Sequence, residues 1–198
     1  MNIINLRKAT LQDCEKIADL HKDYIQSGFL STLGVPLLRL LYHTIINSNN
    51  TFCIVAEEDK EVIGFVSGTG DIKSTYKHFL RRNFLKASIV LFPKFISIKT
   101  ARRIFETLFY PVKKEQNLPA PELLSIVVDK NYQGQGISQK IFKELIEEFR
   151  RRGITQFKVV VGSQLIPACR FYEKMGGKLH SEIEVHKDEK SRVYVWEL

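Results

Sequence analysis

Hydrophobic and polar residues follow one another along the chain with two different periods. Runs rich in β-branched and aromatic residues predict strands at NIINLRKA, ELLSIVVD and TQFKVVVG. The run ELLSIVVD is apolar enough for a strand that is buried on both faces. Two further pairs of runs predict hairpins, one over TFCIVAEEDKEVIGFVSGTG and one over KLHSEIEVHKDEKSRVYVWEL.

Between these strands, apolar residues recur at steps of three and four, which predicts amphipathic helices. One helix follows Thr10, which lies at capping-box distance from Asp13, and a second covers GVPLLRLLYHTIINS. A third runs from Gly136 to Gly153, and a short fourth covers PACRFYEKM. Helices that interrupt a series of strands in this way indicate a mixed α/β fold.

Residues 71–120 form an insertion between the third and the fourth predicted strands. They carry eleven Lys/Arg and three Asp/Glu, so the net charge of +8 belongs to this segment and the rest of the chain is balanced. Aromatic and aliphatic residues between the cations predict one or two helices. Three interpretations remain open: a charged lid, a surface that attracts an acidic substrate, or a face that lies on an anionic membrane. Nucleic-acid binding has only the charge in its favour, because no recognised motif accompanies it.

Length and cysteine content restrict the class of protein further. A chain of 198 residues is typical of one domain, here residues 1–198 with the basic helical insertion at about 71–120. Three scattered cysteines form no CxxC motif, which favours a reduced, cytoplasmic protein without a metal site. The first residues lack an uncharged apolar core, and the run ASIVLFPKFISI is too interrupted to span a bilayer. Peripheral attachment to a membrane through the insertion remains an alternative.

Two glycines mark the point where a buried strand passes into a helix. Gly134 and Gly136 stand in the stretch QGQGIS, directly before the clean helical pattern. The first turn of a helix offers free N–H groups and a partial positive charge, and glycine lets a phosphate approach the backbone closely. The stretch contains no GxxxxGK[ST] motif, and Gln139 stands where a dinucleotide-binding fingerprint needs its third glycine. It does fit the pattern Q/R-x-x-G-x-G/A, except for Ser138 at the last small position.

With this loop and a second motif, the chain resembles the GNAT superfamily of acyl-CoA-dependent N-acetyltransferases. The second motif is PACRFYEKMGG, which is similar to the family's N-x-x-A-x-x-x-Y-x-x-x-G-F. The two motifs occur in the family's order, and the resemblance covers most of the chain apart from 71–120. It implies a mostly antiparallel central sheet that is splayed between its fourth and fifth strands, with helices on both faces.

The resemblance also implies acetyl-CoA as the co-substrate, with its pantetheine arm in the gap between the two strands and its diphosphate on the glycine loop. One backbone amide near Ile126 would face the thioester oxygen. The residues expected to bind the cofactor are Ile126, Val127, Val128, Gln133, Gly134, Gln135, Gly136, Ile137, Ser138 and Ala168.

The implied reaction is direct attack of a primary amine on the thioester, without a covalent enzyme intermediate. Tyr172 matches the family's general acid, which protonates the leaving thiolate. Glu122, at the start of the fourth strand, is the leading candidate for the base, and Ser125 and His180 are weaker candidates. The basic insertion favours an acidic or nucleotide-linked amino sugar as acceptor; polyamines, amino acids and protein N-termini remain open, as do acyl-chain length and oligomeric state.

Two positions depart from the family's second motif. Leu165 stands near the expected Asn, which usually helps to hold the start of the helix and the pantetheine arm, and Gly177 replaces a common Phe. These departures keep open a non-catalytic acyl-CoA-binding or regulatory module, and the charge of the insertion keeps open a basic membrane-associated protein.

Overall fold

A computed structural model describes residues 4–25, 34–91, 118–186 and 189–198 of the chain. Its strands are β1 (Asn5–Lys8), β2 (Thr51–Glu58), β3 (Glu61–Thr69), β4 (Glu122–Val128), β5 (Gln156–Gly162), β6 (Lys178–His186) and β7 (Glu189–Glu197). Its α-helices are α1 (Cys14–Tyr24), α2 (Val35–Asn47), α3 (Ile72–Leu91), α4 (Ile137–Arg151) and α5 (Ile166–Lys174). Short 3₁₀ turns, Leu11–Asp13 and Lys130–Tyr132, precede α1 and the loop that leads to α4.

The seven strands form one open sheet in the order β1-β2-β3-β4-β5-β7-β6. Neighbouring strands are antiparallel except β4 and β5, which are parallel. The mixed α/β fold, the mostly antiparallel sheet and the predicted order of elements are therefore confirmed.

Helices cover both faces of this sheet. On one face, α1 and α2 bury an apolar layer that includes Ile17, Leu38 and Phe65. On the other face, α4 and α5 pack on a larger layer in which Phe142 and Phe149 are fully buried. Apolar burial on this scale is the main source of stability, at about 25 cal/mol per Å² removed from water.

Local sequence determines several of the element boundaries. Thr10 and Asp13 form the predicted capping box: the Thr10 N–H donates to Asp13 Oδ2 over 2.7 Å. In the β2–β3 hairpin, Asp59 and Lys60 have φ of 50° and 68°, the left-handed conformation that matches the twist of a tight hairpin. Gly153, with φ of 71°, ends α4 as predicted.

The described part of the basic insertion is one long helix, α3, which packs against α2. Phe79 and Ala87 are buried with Leu37 of α2 between the two helices. Asn83 is also buried, and its side-chain amide donates to Thr44 Oγ1 of α2 over 2.9 Å. The prediction of one or two helices is thus confirmed for residues 72–91, and the part of the insertion from 92 to 117 lies outside the described residues.

The C-terminal end of α4 is fixed by charge as well as by apolar packing. Glu148, which is 2% exposed, accepts from Lys8, Arg151 and Arg152 at 2.9–3.0 Å. These cations hold the pKa of Glu148 below its ordinary value, against the opposing effect of burial. Arg152 also donates to the carbonyl oxygens of Asn49 and Thr51, which joins the end of α4 to the start of β2.

Candidate active site

The candidate site begins where β4 and β5 separate. Only two pairs join these strands, Glu122 with Lys158 and Leu123 with Val159, although both strands are described along their whole length. Beyond that point β4 continues to pair with β3 as far as Val128, and β5 continues to pair with β7. The sheet therefore opens toward the C-terminal ends of β4 and β5, as the resemblance predicted.

A β-bulge lies on β4 at the point of separation. Ser125 pairs with Ser67 of β3 and Leu123 pairs with Gly68, so Leu124 has no partner on β3. An extra residue of this kind bends its strand and changes the direction of the groups that follow it. The bulge therefore changes the direction of the backbone groups of Ile126, Val127 and Val128. No sequence pattern predicted it.

The glycine loop follows the C-terminal end of β4 directly, at the open end of the gap. Gly134 and Gly136 have φ of 79° and 75°, a conformation that side chains with a Cβ rarely adopt. A Cβ added at either glycine would meet no atom within 4 Å, so the space in front of both is open. The glycines are therefore needed for the backbone conformation and leave a bare, accessible surface.

Several backbone amides without a partner among the described residues border this open surface. Gly136 is the N-cap residue of α4 and provides no side-chain cap. Within the described residues, the N–H groups from Gly134 to Gln139 have no hydrogen-bond acceptor; the next amide, that of Lys140, donates to the Gly136 carbonyl. Together with the dipole of a fifteen-residue helix, these amides form a ready anion site.

Two side chains hold the loop in place from behind. The Gln133 side-chain amide donates to the Val128 carbonyl over 3.3 Å, which ties the loop to the end of β4. Asp129 Oδ1 accepts from the Asn131 N–H over 2.9 Å and organises the turn before the glycines. The first glutamine of the motif therefore positions the loop in this structure. Gln135 and Ser138 lie beside the glycines, and Ile137 is buried beneath them.

Tyr172 projects from α5 into the larger apolar layer and is 5% exposed. Rings surround it, with centroids of Phe171, Tyr194 and Trp196 at 5.5–6.2 Å. Burial raises the pKa of Tyr172 well above its ordinary value, so the phenol keeps its proton at neutral pH. Tyr172 therefore carries the proton that a general acid needs, but it is also packed like an ordinary core residue. Ala168, one turn earlier on α5, is half-buried at the edge of the same layer.

Glu122 lies at the closed end of the gap, where β4 and β5 still pair. Its Oε2 is 3.4 Å from Nζ of Lys158, a side chain that is fully buried on β5. Lys158 Nζ also donates to the Pro119 carbonyl over 2.6 Å. The negative charge of Glu122 contributes, after burial, to the raised pKa of Tyr76 on α3. The candidate base thus lies beside a buried cation, that of Lys158. The sequence did not indicate this pair, because Lys158 is a single cation in an otherwise apolar strand.

Of the two departures in the second motif, the one at Gly177 has a structural explanation in its packing. Leu165 is the N-cap of α5 without a side-chain bond, and neighbouring Gln164 lies against Gly162 at the end of β5. Gly177 has no room for a side chain, since a Cβ there would lie 2.5 Å from the Trp196 ring. Trp196, stacked on Phe157 with 4.9 Å between centroids, fills the space into which a side chain at position 177 would point.

The fold and the site together define a class: a sheet that parts between two parallel strands, with an open glycine loop before a helix at the open end. The model of the Acetyltransferase (GNAT) family matches residues 15–177, and the chain belongs to this family. No curated protein sequence matches the chain.

Solved structures of similar fold cover nearly the whole chain. An N-acetyltransferase from Staphylococcus aureus Mu50 is 14% identical, with a TM-score of 0.64 and 98% coverage of both chains. An acetyltransferase of the GNAT family from Streptococcus pneumoniae is 16% identical, with a TM-score of 0.60 and coverage of 99% and 100%. Arabidopsis thaliana NAA60, solved in complex with acetyl-CoA, is 14% identical, with a TM-score of 0.63 and 99% coverage of both chains. At these identities the likeness is one of fold.

Among residues 4–25, 34–91, 118–186 and 189–198, no helix has the length and apolar content to cross a bilayer. In the same ranges, no three His, Cys, Asp or Glu side chains lie together as ligands for a metal ion.

Proposed function

We propose that this protein, as a single domain of residues 1–198, transfers an acetyl group from acetyl-CoA to a primary amine. One observation carries the proposal: the unengaged amides from Gly134 to Ser138 lie at the open end of the gap between β4 and β5. A diphosphate held by these amides would direct the attached arm toward the gap. The free backbone edge from Ile126 to Val128 would accompany that arm, and Ala168 would contact it from α5.

In the proposed reaction the amine nitrogen forms a bond to the acetyl carbon, and the bond between that carbon and sulfur breaks. Glu122 takes one proton of the ammonium through a water molecule, and the Tyr172 phenol gives a proton to the leaving thiolate. The nitrogen loses its second proton as the tetrahedral intermediate collapses, and a proton from solvent restores the Tyr172 phenol. A β4 amide near Ile126 donates to the carbonyl oxygen as it gains negative charge. The remaining contribution is to hold the amine against the thioester, which saves much of the entropy of a bimolecular reaction.

The substitution Gly136→Glu tests the cofactor assignment. It places a side chain and a negative charge in the open space where the diphosphate would lie, so we expect CoA binding to weaken by at least a hundredfold in isothermal titration. Gly153→Glu is a matched control at the other end of α4. Gly153 also has a positive φ and open space around its Cβ position, so backbone strain and added charge are the same.

The two variants together separate strain from lost contact. If Gly136→Glu binds CoA as tightly as Gly153→Glu and the wild type, the glycine loop is not the diphosphate site. Equal weakening by both would show a general effect on α4 and would also remove the support for the assignment.

For the acceptor, we propose an amine that carries negative charge, such as a nucleotide-linked amino sugar. The support is α3, which carries five Lys/Arg and no Asp/Glu over Ile72–Leu91. All five cations are exposed, and they create a field that draws in anions. A thiol-release assay with phosphorylated amino sugars, polyamines and peptides tests this proposal. Faster turnover of polyamines than of any anionic amine would contradict it.

A second role for α3 is favoured by its outer surface. Phe84, Leu85 and Ile89 are 63%, 76% and 74% exposed among the cations. Apolar side chains and Lys/Arg on one exposed helix face are typical of contact with an anionic membrane. Sedimentation with phosphatidylserine vesicles tests this role, and Leu85→Ser with Ile89→Ser should abolish it. Equal sedimentation of the double variant and the wild type would exclude it.

A further inference from the structure

A cavity of about 440 Å³ lies between α1, α2 and α3. None of the residues that line it belongs to the glycine loop, β4 or β5, so it is separate from the candidate active site. Two pairs of basic side chains, each one helical turn apart, line the cavity. Arg39 and His43 come from α2, and Arg82 and Lys86 come from α3.

The packing of α3 on α2 fixes these pairs around one space. Asn83, between the two α3 cations in sequence, lines the cavity and donates to Thr44 Oγ1, next to His43 on α2. Like charges held around a small volume repel one another, and an anion in that volume converts the repulsion into attraction. Within the described residues, neither Arg82 nor Lys86 forms a salt bridge.

One carboxylate, that of Glu15 on α1, competes for the cavity. It forms a salt bridge with Arg39, but the two side chains are 69% and 47% exposed. Exposed pairs of this kind contribute little to stability, so a stronger anion can displace Glu15. Arginine is well suited to such an anion because its planar guanidinium binds phosphate through two parallel hydrogen bonds.

The rest of the wall is apolar. Leu40 lines the cavity from α2, and Leu11, which is 47% exposed, lines it from the turn before α1. An inorganic ion would leave this part of the wall in contact with water. The cavity is therefore suited to an organic molecule that combines a phosphate with an apolar group.

We propose that this cavity is a second anion site, which binds a small organic phosphate independently of the cofactor loop. Pyrophosphate is the first probe, used with the Gly136→Glu protein so that the loop contributes no binding. We expect one site in isothermal titration, weakened at least tenfold by Arg82→Ala with Lys86→Ala. The control is Lys77→Ala with Arg81→Ala, which removes two exposed cations of the same helix that do not line the cavity.

Two further measurements define the ligand. Glu15→Gln should strengthen pyrophosphate binding severalfold because it releases Arg39, whereas Glu147→Gln, which breaks a comparable exposed pair with Arg150, should not. Phenyl phosphate should bind more tightly than inorganic phosphate because its ring contacts the apolar wall, and equal affinity would overturn the assignment of an organic ligand.

Each alternative result overturns the proposal. Absence of a pyrophosphate site in the Gly136→Glu protein would do so directly. Equal loss in the two double-alanine variants would indicate attraction by general charge. Binding to phosphatidylserine vesicles without binding to pyrophosphate would assign these cations to a membrane surface.

Discussion

Acidification from pH 7 to pH 5 should destabilise the folded protein through one buried histidine, His21. This side chain of α1 is 2% exposed, and its Nδ1 lies 2.6 Å from the Tyr42 hydroxyl of α2. Among the residues that the structure describes, its Nε2 has no hydrogen-bond partner. Burial lowers the pKa of His21 from its ordinary 6.5 to about 4, because a charged imidazole would lose its hydration there.

The direction of the effect follows from which state binds the proton. Between the two pKa values the unfolded chain is protonated at His21 and the folded protein is not, so stability falls as pH decreases through this range. Integration from pH 7 to pH 5 gives a loss of about 2 kcal/mol, or roughly 4–8 °C in Tm for a protein of this size. The pKa values of Asp13 and Glu148 are lowered from 3.8 and 4.5, so their contribution is lost mainly at lower pH.

Urea unfolding at a series of pH values measures this loss. His21→Gln keeps a polar side chain that does not titrate, so its free energy of unfolding should vary little between pH 7 and pH 5, whatever its absolute value. His78→Gln, a change at an exposed histidine of α3, should keep the wild-type slope. A wild-type slope in the His21→Gln protein would refute the argument that burial of His21 causes the loss.

Two substitutions test the candidate active site, and a third tests the packing of the second motif. Tyr172→Phe should lower kcat at least tenfold without changing the CoA dissociation constant, whereas Tyr194→Phe, in the same aromatic layer, should affect stability alone; an unchanged kcat would make Tyr172 a core residue. Glu122→Gln should lower kcat and remove the acidic limb of the pH–rate profile. If the shape of the profile is unchanged, Glu122 is a structural residue beside Lys158 and not the base. Gly177→Ala should cost about 1–3 kcal/mol in urea unfolding because its Cβ overlaps Trp196; an unchanged midpoint would contradict this packing.

The element order and the position of the glycine loop were predictable from the sequence because both depend on local patterns. Helical and strand periods are properties of neighbouring residues. A glycine at a strand–helix junction indicates a positive φ and an approachable backbone before any tertiary contact is known. The role of Tyr172 rests on the resemblance and that of Glu122 on its position at the start of β4, and both remain predictions.

Other features depend on residues that are far apart in the chain. The run Arg150–Arg152 predicts a solvated helix end, yet Arg152 reaches two carbonyls at the start of β2 and lies 4.7 Å from the centre of the Phe52 ring. The loss of Phe at Gly177 looks like a missing core residue until Trp196, nineteen positions later, is seen to occupy its space.

The sequence by itself determined that this chain has a mixed α/β fold with a glycine loop between Val128 and Ile137, at the start of a helix. Only the tertiary structure decided that β4 and β5 part beyond Leu123, that Leu124 forms a bulge, and that Glu122 meets Lys158. It alone also brought the cations of α2 and α3 around one cavity. The physical reason is that the periods of helices and strands depend on residues close together in the chain. Strand separation, ion pairs and cavities depend on contacts between distant residues, and no local pattern specifies those partners.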